Sequence, residues 1–229
     1  KGATMYVALE PCCHHGNTPP CVDLIIKNKI SRVVIASKDP NPLVNEKSIN
    51  KLKDNGIEVT TGICEDEAIE LNKSFFYKFS HSKPYLRLKF GVSLDGKIAT
   101  QRKESKWITS INSRKFVQSQ RAEVNAILTT SNTIIEDNPY MNIRDNKIRE
   151  LISNQPALII LDSKLRVPYN SNIFKTKNRL VIIITDIKNT TNSPIKTYKD
   201  NVIIKYVHTV NSKICLKDVY DIANTYNLN

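Results

Sequence analysis

Cys12 and Cys21 frame the run Glu10-Pro11-Cys12-Cys13-His14-His15-Gly16-Asn17-Thr18-Pro19-Pro20-Cys21, with a proline directly before each of the two. A catalytic zinc takes three protein ligands and leaves its fourth position to a water, which it acidifies into a nucleophile. Cys12 follows a strand-like run and Cys21 stands where a helix should begin; a helix N-terminus favours the thiolate that a metal needs. A lone cysteine is commonly a small buried hydrophobe, whereas two of them framing a His-Gly-Pro loop read as metal ligands. The expectation is a zinc centre with Cys12 and Cys21 as two of its three ligands. Cys13, His14 and His15 could serve as ligands in a structural site but are expected to shape the loop or touch substrate, and Cys64 and Cys215 to be structural.

Those residues need elements to hold them, and the first eighty residues alternate strand and helix signals. Met5–Leu9, Arg32–Ala36 and Ile57–Thr61 read as buried strands. Thr18 could cap a helix opened by Pro19 and Pro20. Asp39-Pro40-Asn41-Pro42 is a loop, Ser48–Asp54 a helix stopped by Asn55-Gly56, and Glu65–Phe79 a helix with Ala68, Leu71, Phe75 and Phe79 on one face. The polar stretch Ser80-His81-Ser82-Lys83-Pro84 marks a seam, giving domains 1–82 and 83–229. Beyond it, Tyr85–Val92, Ala126–Thr130, Ala157–Leu161, Leu180–Thr185 and Val202–Val207 read as strands. Ser93-Leu94-Asp95-Gly96 is a turn, and Asn112–Ala122 and Leu216–Tyr226 are helices. Both halves therefore predict α/β layers with parallel strands.

Composition narrows the partners. The 229 residues carry a formal charge of +12 with 40% hydrophobic content. The lysines are scattered among Asn and Ile and form no basic stripe interleaved with aromatics, which argues against nucleic acid. A smaller anion such as a phosphorylated metabolite or a dinucleotide could use the same field. No apolar run is long enough to span a bilayer and no secretory signal opens the chain. Five cysteines without paired spacing fit a reducing, cytoplasmic setting. Lys1 in place of an initiator Met suggests a fragment or a processed chain.

The run from Tyr6 to Cys21 resembles the deaminase half of the bifunctional riboflavin-biosynthesis deaminase–reductases, whose pattern is close to Y-V-T-L-E-P-C-x-H-x-G-x-T-P-P-C. The long cysteine spacing is a mark of that family; most zinc deaminases place two residues between theirs. Asp39-Pro40-Asn41-Pro42, Asn55-Gly56-Ile57 and Asn72 with Phe75 follow in the family's order. So do Leu88-Lys89, Ser93-Leu94-Asp95-Gly96-Lys97, Ser105-Lys106-Trp107-Ile108-Thr109, Arg121-Ala122, Thr133, Asp137, Pro139, Arg144, Asp162-Ser163 and Arg166.

The resemblance implies the C-terminal part of a cytidine-deaminase-like three-layer domain followed by most of a dihydrofolate-reductase-like α/β domain. It implies zinc-dependent deamination of a phosphoribosylamino-diaminopyrimidinone, then NADPH-dependent reduction of its ribose to a ribityl chain, in a homo-oligomer. Carried over by motif, Cys12 and Cys21 would bind zinc. Gly91, Trp107, Thr133, Asp137 and Ser163 would line the NADPH site, and Lys89, Ser105, Arg121, Met141 and Arg144 would hold the phosphorylated pyrimidine. The third zinc ligand, a His, and the proton-shuttling Glu are expected upstream of Lys1. A deaminase activity is therefore not expected of these residues alone. Glu46 and Ser48 stand where the family has glycines, and Thr130 and Asn132 where a Gly-rich turn is usual. Two other readings are a zinc-binding nucleic-acid module and a relic that has lost its activity.

Overall fold

Val33, Val34 and Ile35 are buried in succession, as a parallel strand covered on both faces requires. They belong to β2 (Arg32–Ser37), the middle strand of a three-stranded parallel sheet between β1 (Thr4–Leu9) and β3 (Glu58–Thr61). The crossovers are α1 (Cys21–Lys27) and α2 (Lys47–Asp54). Val22 and Ile25 from α1 and Ile49 and Leu52 from α2 pack on Val33 and Ile35. Each fully buried side chain of this kind contributes about 1.5–3 kcal/mol. α3 (Glu65–Leu71) packs against β2 through buried Ala68, and α4 (Lys73–His81) follows it.

The computed structural model describes residues 1–16, 18–102, 104–192, 198 and 200–228. It forms two units, Lys1–Tyr85 and Leu86–Asn229. In the second, β4 (Ala126–Thr130), β5 (Ala157–Leu161), β6 (Val181–Asp186) and β7 (Val202–Val207) make a parallel sheet in sequence order. Leu158, Ile160, Val181 and Ile183 face one side, with Ile134, Val167 and Phe174 packed on them. Ile159, Ile182 and Ile184 face the other, against Val219 and Ala223. This sorting to two buried faces is why β5 and the Val181–Ile184 run of β6 are apolar.

Helix α5 (Ile111–Ala122) precedes β4 and is capped by Ser110, whose Oγ accepts from the Ser113 amide at 3.1 Å. α6 (Ser131–Asp137) and α7 (Asn146–Arg149) lie between β4 and β5. A 3-10 turn (Asn172–Lys175) precedes β6, and α8 (Asn189–Asn192) follows it. A small hairpin of β8 (Thr209–Val210) and β9 (Lys213–Ile214) turns through Asn211 and Ser212, both with positive φ, before α9 (Leu216–Thr225). Among the described residues no helix is long and apolar enough to cross a membrane.

Four local expectations fail for physical reasons. β1 is an edge strand and leaves Tyr6 exposed, so Met5–Leu9 is not buried throughout. Thr18 caps nothing; Pro20 holds the N-cap position of α1 and no side chain caps it. The helix from Glu65 breaks at Asn72, whose side-chain amide donates to the Ala68 carbonyl in competition with the backbone. Tyr85–Val92 is not a strand, because no described strand offers it a ladder, and Leu88 and Phe90 stay exposed.

Candidate metal and anion sites

Pro11 ends β1's run and turns Cys12 onto the start of α1. The Val22 amide donates to the Cys12 carbonyl at 3.2 Å and the Cys21 amide to Cys12 Sγ at 3.3 Å. The two thiols also interact directly: hydrogen bonding to Cys12 is the main reason the Cys21 thiol's pKa lies above the ordinary value, with burial adding to it. Two thiols brought together at one spot fit a pair of metal ligands, since a divalent cation would displace their protons. No third metal-ligating side chain joins them among the described residues. Cys13 is turned away, its Sγ donating to the Leu43 carbonyl. His14 buries an Nδ1 with no hydrogen-bond partner, and His15 is exposed. Asn17 of this loop lies outside the described residues. Cys64 and Cys215, read as structural, are exposed at the starts of α3 and α9.

Glu10 fixes this loop, and sequence reading did not single it out. Its carboxylate is almost fully buried, and among the described residues no lysine or arginine forms an ion pair with it. Oε2 accepts from the amides of Asp39 (3.3 Å) and Glu46 (3.2 Å), and Oε1 from Ser48 Oγ (2.5 Å) and the Ile49 amide (3.4 Å). Those donors are the orphan amides at the start of α2 and a loop amide, which a buried anion satisfies well. Asp39 and Asn41 each accept from an amide two residues on, making consecutive Asx turns through the Pro-Asn-Pro loop. Glu46, expected from sequence to replace a glycine, holds φ of +62°, a conformation glycine adopts without strain. Burial raises the pKa of Asp39, and the Glu10 charge raises it further against the hydrogen bond from Asn41.

In the second unit the structure brings Arg121, Met141 and Arg144 together. Arg121 Nη1 donates to the Asn142 carbonyl at 2.7 Å, and Nη2 approaches Met141 Sδ at 3.9 Å. Burial, and then the Arg144 charge, pushes the Arg121 pKa down. A third guanidinium, Arg179, is buried beside them with its pKa lowered to about 10, by burial first and Arg121 second. No ion pair to a carboxylate offsets these charges among the described residues. Such a cluster has the field of an anion site.

The remaining expected residues sit at several places. At Gly91, a Cβ would come within 3.1 Å of Lys89 Nζ and 3.7 Å of Thr109 Cγ2, so these three lie close. Ser105 is half-buried in the same irregular stretch. Trp107 is exposed with the Arg114 guanidinium 4.2 Å above its ring. Thr133 and Asp137 lie on α6, one turn apart. Ser163 follows β5, and Arg166 in the same loop donates to Ser131 Oγ and Asn132 Oδ1 at the start of α6. Thr133 and Ser163 thus stand at the carboxyl ends of β4 and β5, where α/β sheets bind ligands. A cavity of about 330 Å³ beside Arg121, Ile143 and Gln155 has none of the expected NADPH residues in its wall.

Residues 84–224 match the model of the RibD C-terminal domain. The chain belongs to the RibD family. It is 47% identical over 189 residues to riboflavin biosynthesis protein RibD of Aquifex aeolicus, covering 82% of this chain and 52% of that one. With the Escherichia coli protein of the same name it shares 43% over 175 residues, covering 73% and 48%. The structure superposes with a TM-score of 0.84 on a diaminohydroxyphosphoribosylaminopyrimidine deaminase/5-amino-6-(5-phosphoribosylamino)uracil reductase from Thermotoga maritima, at 33% identity, covering all of this chain and 60% of that one. Acinetobacter baumannii RibD gives the same score at 37% identity, with 61% of its chain covered. The chain thus spans about half the length of the curated RibD relatives it matches. The fold expected from sequence holds: both units are α/β, and the second belongs with the dihydrofolate-reductase-like reductase domain of RibD.

Proposed function

We propose that this chain carries parts of both active sites of a bifunctional riboflavin-biosynthesis enzyme. The substrate is a diaminopyrimidinone with a phosphoribosylamino group, which loses its exocyclic amine to water and then has its ribose reduced to a ribityl chain. The observation that carries this reading is the cluster of uncompensated arginines within the segment matched to the RibD C-terminal domain. Arg121 and Arg144 would offer forked, charge-assisted hydrogen bonds to the phosphate, with Ser105 adding a donor. Lys89 is a point charge suited to a pyrimidine carbonyl, and Met141 an apolar contact beside it. NADPH, when bound, supplies the hydride. Gly91 would let it approach the backbone, Trp107 would offer a flat wall, and Thr133, Asp137 and Ser163 would line the rest of its site. The catalytic role of these residues is binding and orientation.

Cys12 and Cys21 would hold zinc as thiolates, and zinc, when bound, supplies an acidified water for hydrolytic deamination. Its third ligand and the proton-carrying carboxylate are not among the residues assigned here. NADPH titrated into the 229-residue chain should quench Trp107 fluorescence, and adding the deaminated substrate should consume the dinucleotide if the reductase half is complete enough to turn over. Absence of any quenching sinks the NADPH assignment. With two thiolates and no third ligand grouped with them among the described residues, the chain should bind zinc weakly; tight binding would refute this two-ligand assignment.

A further inference from the structure

The stretch from Tyr140 to Arg144 has no regular secondary structure, yet side chains hold its backbone at every residue. Arg179 Nη1 donates to the carbonyls of Tyr140 (3.0 Å) and Met141 (2.9 Å), and Arg121 to that of Asn142 (2.7 Å). Gln155 takes both polar groups of Ile143, accepting from its amide at 2.8 Å and donating to its carbonyl at 3.1 Å. The Arg144 amide donates to Gln118 at 2.8 Å. Arg179 is 2% exposed, anchored by a further bond from Nη2 to the Ile173 carbonyl and by Asn201, whose side-chain amide donates to the Arg179 carbonyl at 2.7 Å. Met141 is held at φ of +48°, where a side chain is strained unless the surroundings impose it.

Burying a guanidinium on neutral carbonyls is a poor way to stabilise a loop; an apolar side chain of similar size commonly does better. The charge is therefore informative. We propose that Arg179 is a positioning residue for phosphate recognition: it pins the Tyr140 and Met141 carbonyls so that Met141 and Arg144 are presented beside Arg121, and its charge adds to their field. This rests on the reading that Arg121 and Arg144 hold the substrate's phosphate. A bound dianion would relieve the mutual repulsion of the three guanidiniums, so part of the binding energy is built into the empty loop.

The test titrates inorganic phosphate by calorimetry into the 229-residue chain and its Arg144→Ala, Arg179→Lys and Arg179→Met variants, each well below its unfolding midpoint. NADPH quenching of Trp107 is followed in parallel. The chain should bind phosphate, with Arg144→Ala and Arg179→Met each weakening it about tenfold and Arg179→Lys, which keeps the charge but loses the fork, about threefold. Quenching should persist in Arg179→Lys, and if the Met variant does not fold the Lys variant decides. Weakening by Arg144→Ala alone, with the Arg179 variants binding like the parent, overturns the proposal and leaves the phosphate reading standing. Parent and Arg144→Ala binding alike, or not at all, removes the phosphate reading and this proposal with it. Loss of phosphate binding and quenching together in Arg179→Lys marks a general collapse and also overturns it.

Discussion

The cysteine loop and the 140–144 loop are built on opposite charges. In the first unit a buried carboxylate, Glu10, collects amides from a loop and a helix start. In the second a buried guanidinium, Arg179, collects carbonyls from an irregular segment and a 3-10 turn. Each solves the same accounting problem, backbone polar groups that no ladder satisfies. The sign follows from what each anchor collects, a carboxylate for amides and a guanidinium for carbonyls, and in the second unit that charge adds to the field of Arg121.

Removing an anchor should therefore cost more than removing a residue at the ligand face. Glu10→Ala leaves three amides and the Ser48 hydroxyl without their acceptor. It should lower the stability of the first unit by about 3–5 kcal/mol, read as a shift in the urea midpoint by circular dichroism. A loss under 1 kcal/mol would mean water replaces the carboxylate easily, and the comparison fails on that side. Arg144→Ala, at an exposed position, should leave the urea midpoint within about 0.5 kcal/mol of the parent while weakening phosphate about tenfold.

Asp39 sharpens the first half of the comparison. Its pKa is raised on folding, so its ionised form is worse off in the native state than in the unfolded chain. The penalty is absent at low pH, where the group is protonated in both states, and is fully present above the raised native value. Asp39→Asn keeps the acceptor for the Asn41 amide and removes the charge. It should stabilise the chain by no more than about 1 kcal/mol at neutral pH, with the gain fading as pH falls through the ordinary carboxylate range. An unchanged pH profile in thermal melts would show that Asp39 carries no burial penalty. The smallest effect concerns Cys21: Cys12→Ala removes the main cause of its raised pKa, so alkylation mapped to Cys21 at neutral pH should speed up about threefold. Equal rates would show that Cys12 does not hold the Cys21 thiol in its protonated form.

Much of this was legible in the residues. Buried strands such as Ala157–Leu161 and Val181–Asp186 are apolar on both faces, a signal that depends on nothing distant. The cysteine pair and Arg121 with Arg144 were visible because motif order groups residues far apart in sequence. Glu10 and Arg179 were not, since an anchor is defined by what folds against it. Their signals were weak but present: a carboxylate between a strand and Pro-Cys, and an arginine directly before the apolar run Leu180–Ile184. The strand expected at Tyr85–Val92 fails for the converse reason, because an alternating pattern makes a strand only where a neighbour completes its hydrogen bonds.

β1 carries a practical consequence. Its inner side pairs with β2, while its outer side presents unpaired amides and carbonyls alongside an exposed Tyr6 and a partly exposed Met5. The strand Thr4–Leu9 contains no proline, lysine or other charge to discourage a second chain from adding there. For anyone purifying these 229 residues, this rim is a seed for intermolecular β-sheet. Dilute solutions and a charged substitution at Tyr6 are the first remedies for turbidity.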